Sequence, residues 1–312
     1  MRTLGSAIPS FSNPSFLRTT FLKAAFRKPR LLVYGQASVV FLLAVWLYAP
    51  LAIGLASQWW HDPNYTHGFF VPVFSMFLVW ERRAKLAALR SQPAWSGLVI
   101  LLFALLALVL NTINSGFFLY RISLLLFIAG LVVFLAGWKH LAALSFPLAF
   151  LVLMIPSSTL LGYITLPLQI VASKAASFLL MLVGIPAVRE GNIILLPTAR
   201  LEVAEACSGI RSLFSLITLT VIYGYLAETK VSLRVLLVFM AVPISVLANA
   251  LRIAVTGVVV EYWGIEGAQG TLHLFAGWLI FAGSLAIVFL LHRFSRALFF
   301  TRHEAAVREE YA

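Results

Sequence analysis

The sequence contains a single cysteine, Cys207, among 312 residues. One cysteine cannot form an intramolecular disulfide, so it has no role as a structural cross-link. Charge is also scarce: only 11% of the residues are charged, about half the share that a soluble globular domain carries. This scarcity, together with a hydrophobic share of 62%, excludes an ordinary soluble domain and predicts a single membrane domain.

Acidic residues are few, with 11 Asp and Glu against 23 Lys and Arg, and the formal net charge is +12. No basic patch is interleaved with exposed aromatic residues, so we expect no nucleic acid partner. The basic excess instead follows the positive-inside rule, by which the basic loops of membrane proteins stay in the cytoplasm. The potential ligand residues lack the spacing of metal sites, and we expect neither a metal nor another cofactor.

Eight apolar segments are long enough, or nearly so, to cross a bilayer, which takes roughly 17–25 residues. They are 34–56, 67–81, 95–112, 117–137, 140–157, 206–226, 235–258 and 272–292. Basic residues cluster in both tails and in the loops 81–94 and 227–234, which predicts that both termini are cytoplasmic. We therefore expect a basic, disordered cytoplasmic tail over 1–30, a transmembrane domain over 31–295 and a cytoplasmic tail over 296–312.

Segment 160–184 is ambiguous, because four polar residues interrupt its Leu and Ile residues: Gln169, Ser173, Lys174 and Ser177. It could span the bilayer or lie on the surface as an amphipathic helix. We favour the outer surface, because a further span would place the basic loop 227–234 and the basic tail outside.

Residues 192–197 and 200–205 flank a Pro197–Thr198 turn and predict a short β-hairpin on the outer face. The predicted fold is therefore an all-α polytopic membrane protein with about eight transmembrane helices, an outer-face amphipathic helix and this hairpin.

Three reactive or charged residues fall near one plane in this topology. Cys207 and His273 each open an apolar segment at its outer end, and Arg252 lies roughly 25 Å along a segment that starts inside. Each residue also has a simpler explanation. Cys207 could be a small apolar residue in the core, His273 could be an interfacial residue without chemistry, and Arg252 could extend its side chain to the membrane surface. Together they predict a cysteine peptidase or transpeptidase site, with Cys207 as nucleophile, His273 as general base and acid, and Arg252 as fixed positive charge.

Four further residues are candidates for supporting or substrate-binding roles. Asn249 lies three residues before Arg252 on the same helix face, and Arg211 lies four residues after Cys207, where it could orient the thiolate or pair with Glu205. Tyr65 and His67 lie in the first outer loop and could form a wall of the site, although a tight turn and an aromatic interfacial belt explain that loop equally well.

The stretches DPNYTHGFFVP, EGNIILLPTARLEVAEACSGIRS, PISVLANALRI and HLFAGW resemble the exosortase family, related to the archaeosortases, over about residues 40–295. The resemblance implies an eight-helix membrane enzyme that acts like a sortase without the sortase fold. It also implies a catalytic Cys, Arg and third basic residue, here Cys207, Arg252 and His273.

The implied partners are exported proteins whose carboxyl-terminal signal contains a short motif such as Pro-Glu-Pro, a transmembrane helix and a basic end. The expected location is the bacterial inner membrane, with the site facing the periplasm. The sequence leaves open whether water or an acceptor on a lipid or glycan carrier resolves the thioester. The alternative function is a transport or scaffold component of exopolysaccharide export without peptidase activity.

Overall fold

A computed structural model gives the structure of the chain, and it describes residues 30–113, 117–156, 158–203, 209–267 and 271–310. The predicted disordered tail over 1–30 thus falls almost wholly outside the described residues. The helices in chain order are α1 (Arg30–His61), α2 (Phe70–Glu81), α3 (Arg83–Ala88), α4 (Ser96–Ile113), α5 (Phe117–Ala136), α6 (Trp138–Phe150), α7 (Ser158–Leu182), α8 (Ile210–Ala227), α9 (Val231–Gly267) and α10 (Thr271–Glu310). Short 3₁₀ helices occupy Pro63–Phe69 and Leu151–Met154, and the strands are β1 (Val188–Glu190), β2 (Ile193–Leu195) and β3 (Arg200–Glu202).

The chain forms two compact units, 1–52 and 53–312. The first contains the greater part of α1, which is the part of that unit the structure describes. The second contains all the other helices and the sheet, and every contact discussed below lies within it.

Six helices in the described part of the chain are long and apolar enough to cross a membrane: α1, α5, α7, α8, α9 and α10. Two shorter apolar helical segments are Ser96–Leu110, within α4, and Trp138–Met154, which begins with α6. Large hydrophobic side chains such as Leu247, Trp278 and Leu279 are exposed on these helices, as lipid-facing residues are. The chain is therefore an all-α, multi-pass membrane protein, which confirms the fold class predicted from sequence.

The predicted span 67–81 takes a different form. It divides between the 3₁₀ helix Pro63–Phe69 and the 12-residue α2. At 1.5 Å per residue α2 is about 18 Å long, too short for a hydrocarbon core of about 30 Å.

The predicted hairpin is present, and a third strand extends it. Strands β2 and β3 pair antiparallel, and the Leu196 N–H donates to the Ala199 carbonyl at 2.8 Å to close the Pro197–Thr198 turn. The unexpected strand β1 pairs antiparallel with β2, giving the order β1-β2-β3.

One end of the larger unit, called the lower end here, is held together by Glu228, which follows α8 directly. Its carboxylate contacts Nε2 of His292 on α10 at 3.2 Å, and its backbone carbonyl accepts from Nε of Arg234 on α9 at 2.7 Å. The backbone N–H of Lys230 is the main cause that lowers the pKa of Glu228 to about 2, and His292 lowers it further. Glu228 is thus an ionised, buried joint between α8, α9 and α10.

Both ends of α7 lie toward the opposite, upper end of the unit. Before its first turn, the Leu153 carbonyl accepts from His67, which stacks on Phe214 in the second turn of α8. Near its last turn, Leu180 packs against Gly257, beyond Arg252 on α9. Length and composition allow α7 to cross the membrane, and its predicted position on the outer face stays a prediction.

Three of the four polar residues that indicated an amphipathic α7 face the protein, and the fourth, Lys174, is exposed. Gln169, Ser173 and Ser177 are all buried, and the Ser173 hydroxyl donates to the Gly191 carbonyl at 3.1 Å. Apolar side chains such as Phe178 are exposed on the other face. The polarity of α7 therefore serves its packing against the sheet and α9, because buried hydroxyl groups need hydrogen-bond partners.

Candidate functional site

Cys207 itself lies outside the described residues, but the chain on both sides of it contacts one stretch of α9. On the carboxyl side, Gly209 caps α8 with φ +79°, and a Cβ added there would lie 2.8 Å from Cγ of Asn249. On the amino side, buried Val203 helps to line a small pocket whose other wall includes Arg252. The segment that carries the cysteine is thus attached at both ends to residues near Arg252.

Arg252 is half-buried, and Asn249, one turn earlier, is only 4% exposed. Their pocket is lined by Leu201, Glu202, Val203, Arg252, Ile253 and Thr256. Arg252 borders this small pocket and brings a positive charge to it. The predicted pairing of Asn249 and Arg252 on one face is present.

The position of Arg252 along its helix differs from the prediction. The expected segment 235–258 would put Arg252 about one turn from the outer end, whereas α9 continues to Gly267, with a non-helical break at Gly264. Arg252 therefore lies about 12 residues, or roughly 18 Å, before that break. The extra turns have a packing partner, since α7 and the sheet bury Ile253, Ala254 and Val260.

His273 lies in the first turn of α10, and its side chain is outside the described residues. Helix geometry nevertheless gives the height of its backbone. His273 lies about 19 residues before His292, which is at the lower end. This separation is roughly 28 Å along the axis of α10.

The other two helices rise by similar amounts from the same lower joint. Along α8, Gly209 is also separated from Glu228 by about 19 residues. Along α9, Arg252 is separated from Val231 by about 21 residues, a rise of roughly 32 Å. Measured along the helix axes, His273, Gly209 and Arg252 therefore lie within about one helical turn of the same level.

Tyr65 and His67 pack beneath the start of α8. The His67 ring stacks on Phe214 with centroids 5.9 Å apart, and Tyr65 is 6.4 Å from the same ring. Both residues are buried, and burial is the main cause that lowers the pKa of His67. In this structure they pack against Phe214 of α8, and a role in substrate binding stays a prediction.

Arg211 is exposed in the first turn of α8. Its suggested partner Glu205 lies outside the described residues. The exposed guanidinium leaves the alternative role, orienting the thiolate or a substrate carboxylate, as a prediction.

Sequence reasoning missed the role of Arg121 in α5. Its guanidinium donates to the Pro156 carbonyl, and to Oε1 of Gln58 at 2.7 Å. Trp59 adds a bond from Nε1 to the Met154 carbonyl at 2.9 Å. These bonds hold the segment before α7, and a lone Arg in an apolar helix was the available signal.

A family model described as "Transmembrane exosortase (Exosortase_EpsH)" matches residues 59–290, which is well over half of the chain. The chain belongs to the transmembrane exosortase family. The matched range contains Cys207, Arg252 and His273, as well as the supporting residues Tyr65 and Asn249. No curated protein and no solved structure matches the chain.

Proposed function

We propose that this exosortase-family protein is a membrane cysteine peptidase or transpeptidase that cleaves the carboxyl-terminal sorting signal of exported proteins. The observation that carries the proposal is the attachment of the chain on both sides of Cys207 to the stretch of α9 that contains Asn249 and Arg252. Two residues of chain span at most about 7 Å, so the cysteine backbone stays close to Gly209, which itself touches Asn249.

In the proposed reaction the Cys207 thiolate attacks the carbonyl carbon of the scissile peptide bond. The C–N bond breaks, a thioester forms, and His273 gives its proton to the departing amine. Water or an acceptor amine then attacks the thioester and releases the thiolate. Hydrolysis makes the protein a peptidase, and transfer to an acceptor makes it a transpeptidase.

Arg252 supplies fixed positive charge in this scheme. A cation beside a thiolate lowers the thiol pKa, and the same cation stabilises the oxyanion of the tetrahedral intermediate. Cys207 also precedes α8 by three residues, and the positive end of a helix dipole favours a nearby anion. Asn249, buried between Gly209 and Arg252, would hold these groups in register.

The proposed orientation places the upper end in the periplasm and both termini in the cytoplasm, in the inner membrane of a bacterium. The lower end carries the basic residues Lys230, Arg234, Arg293 and Arg296. Basic residues at membrane edges favour the cytoplasm, which supports this assignment. The partner would be an exported protein with a short motif, a transmembrane helix and a basic end, and the acceptor a lipid or glycan carrier.

The test is processing of a reporter protein that carries such a signal, co-expressed with the chain and followed as a shift in mass. Cys207→Ala and His273→Ala should abolish processing, and Arg252→Lys should reduce it about 100-fold or more, since the loss of one oxyanion donor has that effect. Arg293→Lys, an exposed change at the lower end, is the matched control and should process normally. Full processing by Cys207→Ala would refute the proposal and favour the transport or scaffold function.

A further inference from the structure

The outer edge of β3 carries backbone groups without a strand partner. In the β2–β3 register, the Leu196 N–H donates to the Ala199 carbonyl, and the Val203 N–H donates to the Asn192 carbonyl at 3.0 Å. Hydrogen-bonded pairs alternate along an antiparallel ladder. The N–H and carbonyl groups of Arg200 and Glu202 therefore point away from β2.

This edge is open in the part of the chain that the structure describes. Strand β3 is the last in the order β1-β2-β3, and both Arg200 and Glu202 are exposed. An open edge of this kind is a ready template for an extended peptide, whose N–H and carbonyl groups alternate with the same period.

The edge also leads directly to the proposed nucleophile. Glu202 precedes Cys207 by about five residues, which span at most roughly 18 Å. Leu201, Glu202 and Val203 form one wall of the Arg252 pocket, so a peptide on this edge lies beside that pocket. The segment from β3 to α8 therefore carries a pairing edge, one wall of the pocket and, by its sequence, Cys207.

We propose that β3 binds the substrate as an added strand, with main-chain hydrogen bonds to Arg200 and Glu202 that direct the adjoining peptide bond to the Cys207 segment. The proposal rests on the proposed function and names how its substrate is held. The occupant is an extended segment of the exported protein, within about five residues of the scissile bond. Recognition through main-chain groups fixes the position of the peptide beside the Arg252 pocket.

Cross-linking tests the docking separately from catalysis. The chain has one cysteine, so a Cys207→Ala background is free of cysteine, and Glu202→Cys then introduces a single thiol at the edge. The probe is the co-expressed reporter, with single cysteines placed at each of the ten residues before its transmembrane helix. Pairs in an added strand have Cα atoms about 5.5 Å apart, within reach of a disulfide.

The expected result is disulfide formation at reporter positions that alternate with a period of two. Glu190→Cys is the matched control, since it is an exposed Glu on β1, the opposite edge of the sheet. It should give at most about one tenth of the cross-linked product. Equal cross-linking from the two edges, or none from Glu202→Cys, overturns the proposal even if Cys207 is essential for processing.

A backbone variant gives a second, independent readout in the chain with native Cys207. Glu202→Pro removes an N–H that points away from β2, so the β2–β3 ladder keeps its hydrogen bonds. Processing should fall roughly five- to ten-fold, as expected for one lost main-chain bond, while Arg189→Pro, which removes an outward N–H from β1 at the opposite edge, should stay within about two-fold. Equal effects of the two substitutions would contradict main-chain docking.

Discussion

Gly209→Ala is the change that best tests the contact between the cysteine segment and α9. Gly209 has φ +79° and ψ 0°, and its missing Cβ would lie 2.8 Å from Cγ and 2.9 Å from Cβ of Asn249. Asn249 is 4% exposed and has little room to move aside. The substitution therefore combines two separate costs at one position.

The backbone cost of a non-glycine residue in the left-handed region is about 1–2 kcal/mol. Overpacking at a filled contact adds about 1–3 kcal/mol. The total expected loss of unfolding free energy is thus about 2–5 kcal/mol, much of it relieved if α8 moves away from α9. A displacement of about 1 Å at a catalytic site can reduce the rate about 100-fold, so we expect reporter processing to fall between about 10- and 100-fold.

Gly184→Ala is the matched control. Gly184 has φ +82°, but a Cβ there would meet no atom within 4 Å. This variant incurs the backbone cost alone, about 1–2 kcal/mol, and should process the reporter at a near-normal rate. Thermal unfolding in lipid nanodiscs and the reporter assay measure the two quantities.

The comparison refutes the reasoning if Gly209→Ala and Gly184→Ala match in both stability and processing. Such a result would mean that Gly209 does not lie against Asn249 in the working protein. The attachment of the Cys207 segment to α9 would then be wrong on its carboxyl side.

Three further predictions concern residues away from the proposed chemistry. Arg121→Lys should lower the free energy of unfolding by about 1–3 kcal/mol, because the lysine ammonium cannot reproduce both hydrogen bonds of the guanidinium. Unfolding in nanodiscs measures this loss. His67→Phe should keep the ring stack on Phe214 but lose the hydrogen bond to the Leu153 carbonyl. It should therefore reduce stability and processing less than His67→Ala does. The reverse order would refute the supporting role of His67. Because the pKa of Glu228 is lowered from 4.5 to about 2, its stabilising effect should be complete above about pH 5 and be lost as the pH falls toward 2. Glu228→Gln should therefore reduce stability at pH 7 and show a smaller loss on acidification, which unfolding at a series of pH values measures.

Much of the membrane architecture follows from local sequence patterns. Long apolar runs predict helices that cross a bilayer, and the Pro197–Thr198 turn between two short apolar runs predicts the hairpin that the structure contains. Strand β1 was missed because its Val188–Glu190 sequence carries no alternation, and its pairing with β2 supplies the hydrogen bonds that define it.

The position of α7 shows where local patterns reach their limit. Its composition fits both a span and a surface helix, and the choice between them depends on contacts with distant segments that a local pattern does not specify. The burial of Gln169 and Ser173 likewise depends on which neighbours pack against that face, and a helical pattern does not specify its neighbours.

The sequence by itself determined the kinds of residue available for chemistry: one cysteine, an arginine with a nearby asparagine, and a histidine at a helix start. Composition and periodicity also determined that the chain is a helical membrane protein, because the bilayer requires apolar helices whose backbone bonds are satisfied internally. These properties depend on residues close together in the chain.

The tertiary structure alone decided how those residues relate in space. Gly209 meets Asn249 across about 40 residues of chain, and the bond between Glu228 and His292 fixes the common lower level from which α8, α9 and α10 rise. Arg252 lies at the level of Gly209 because similar numbers of residues separate Arg252 from Val231 and Gly209 from Glu228 above that joint. Such registers arise from side-chain packing between distant segments, which no local pattern encodes.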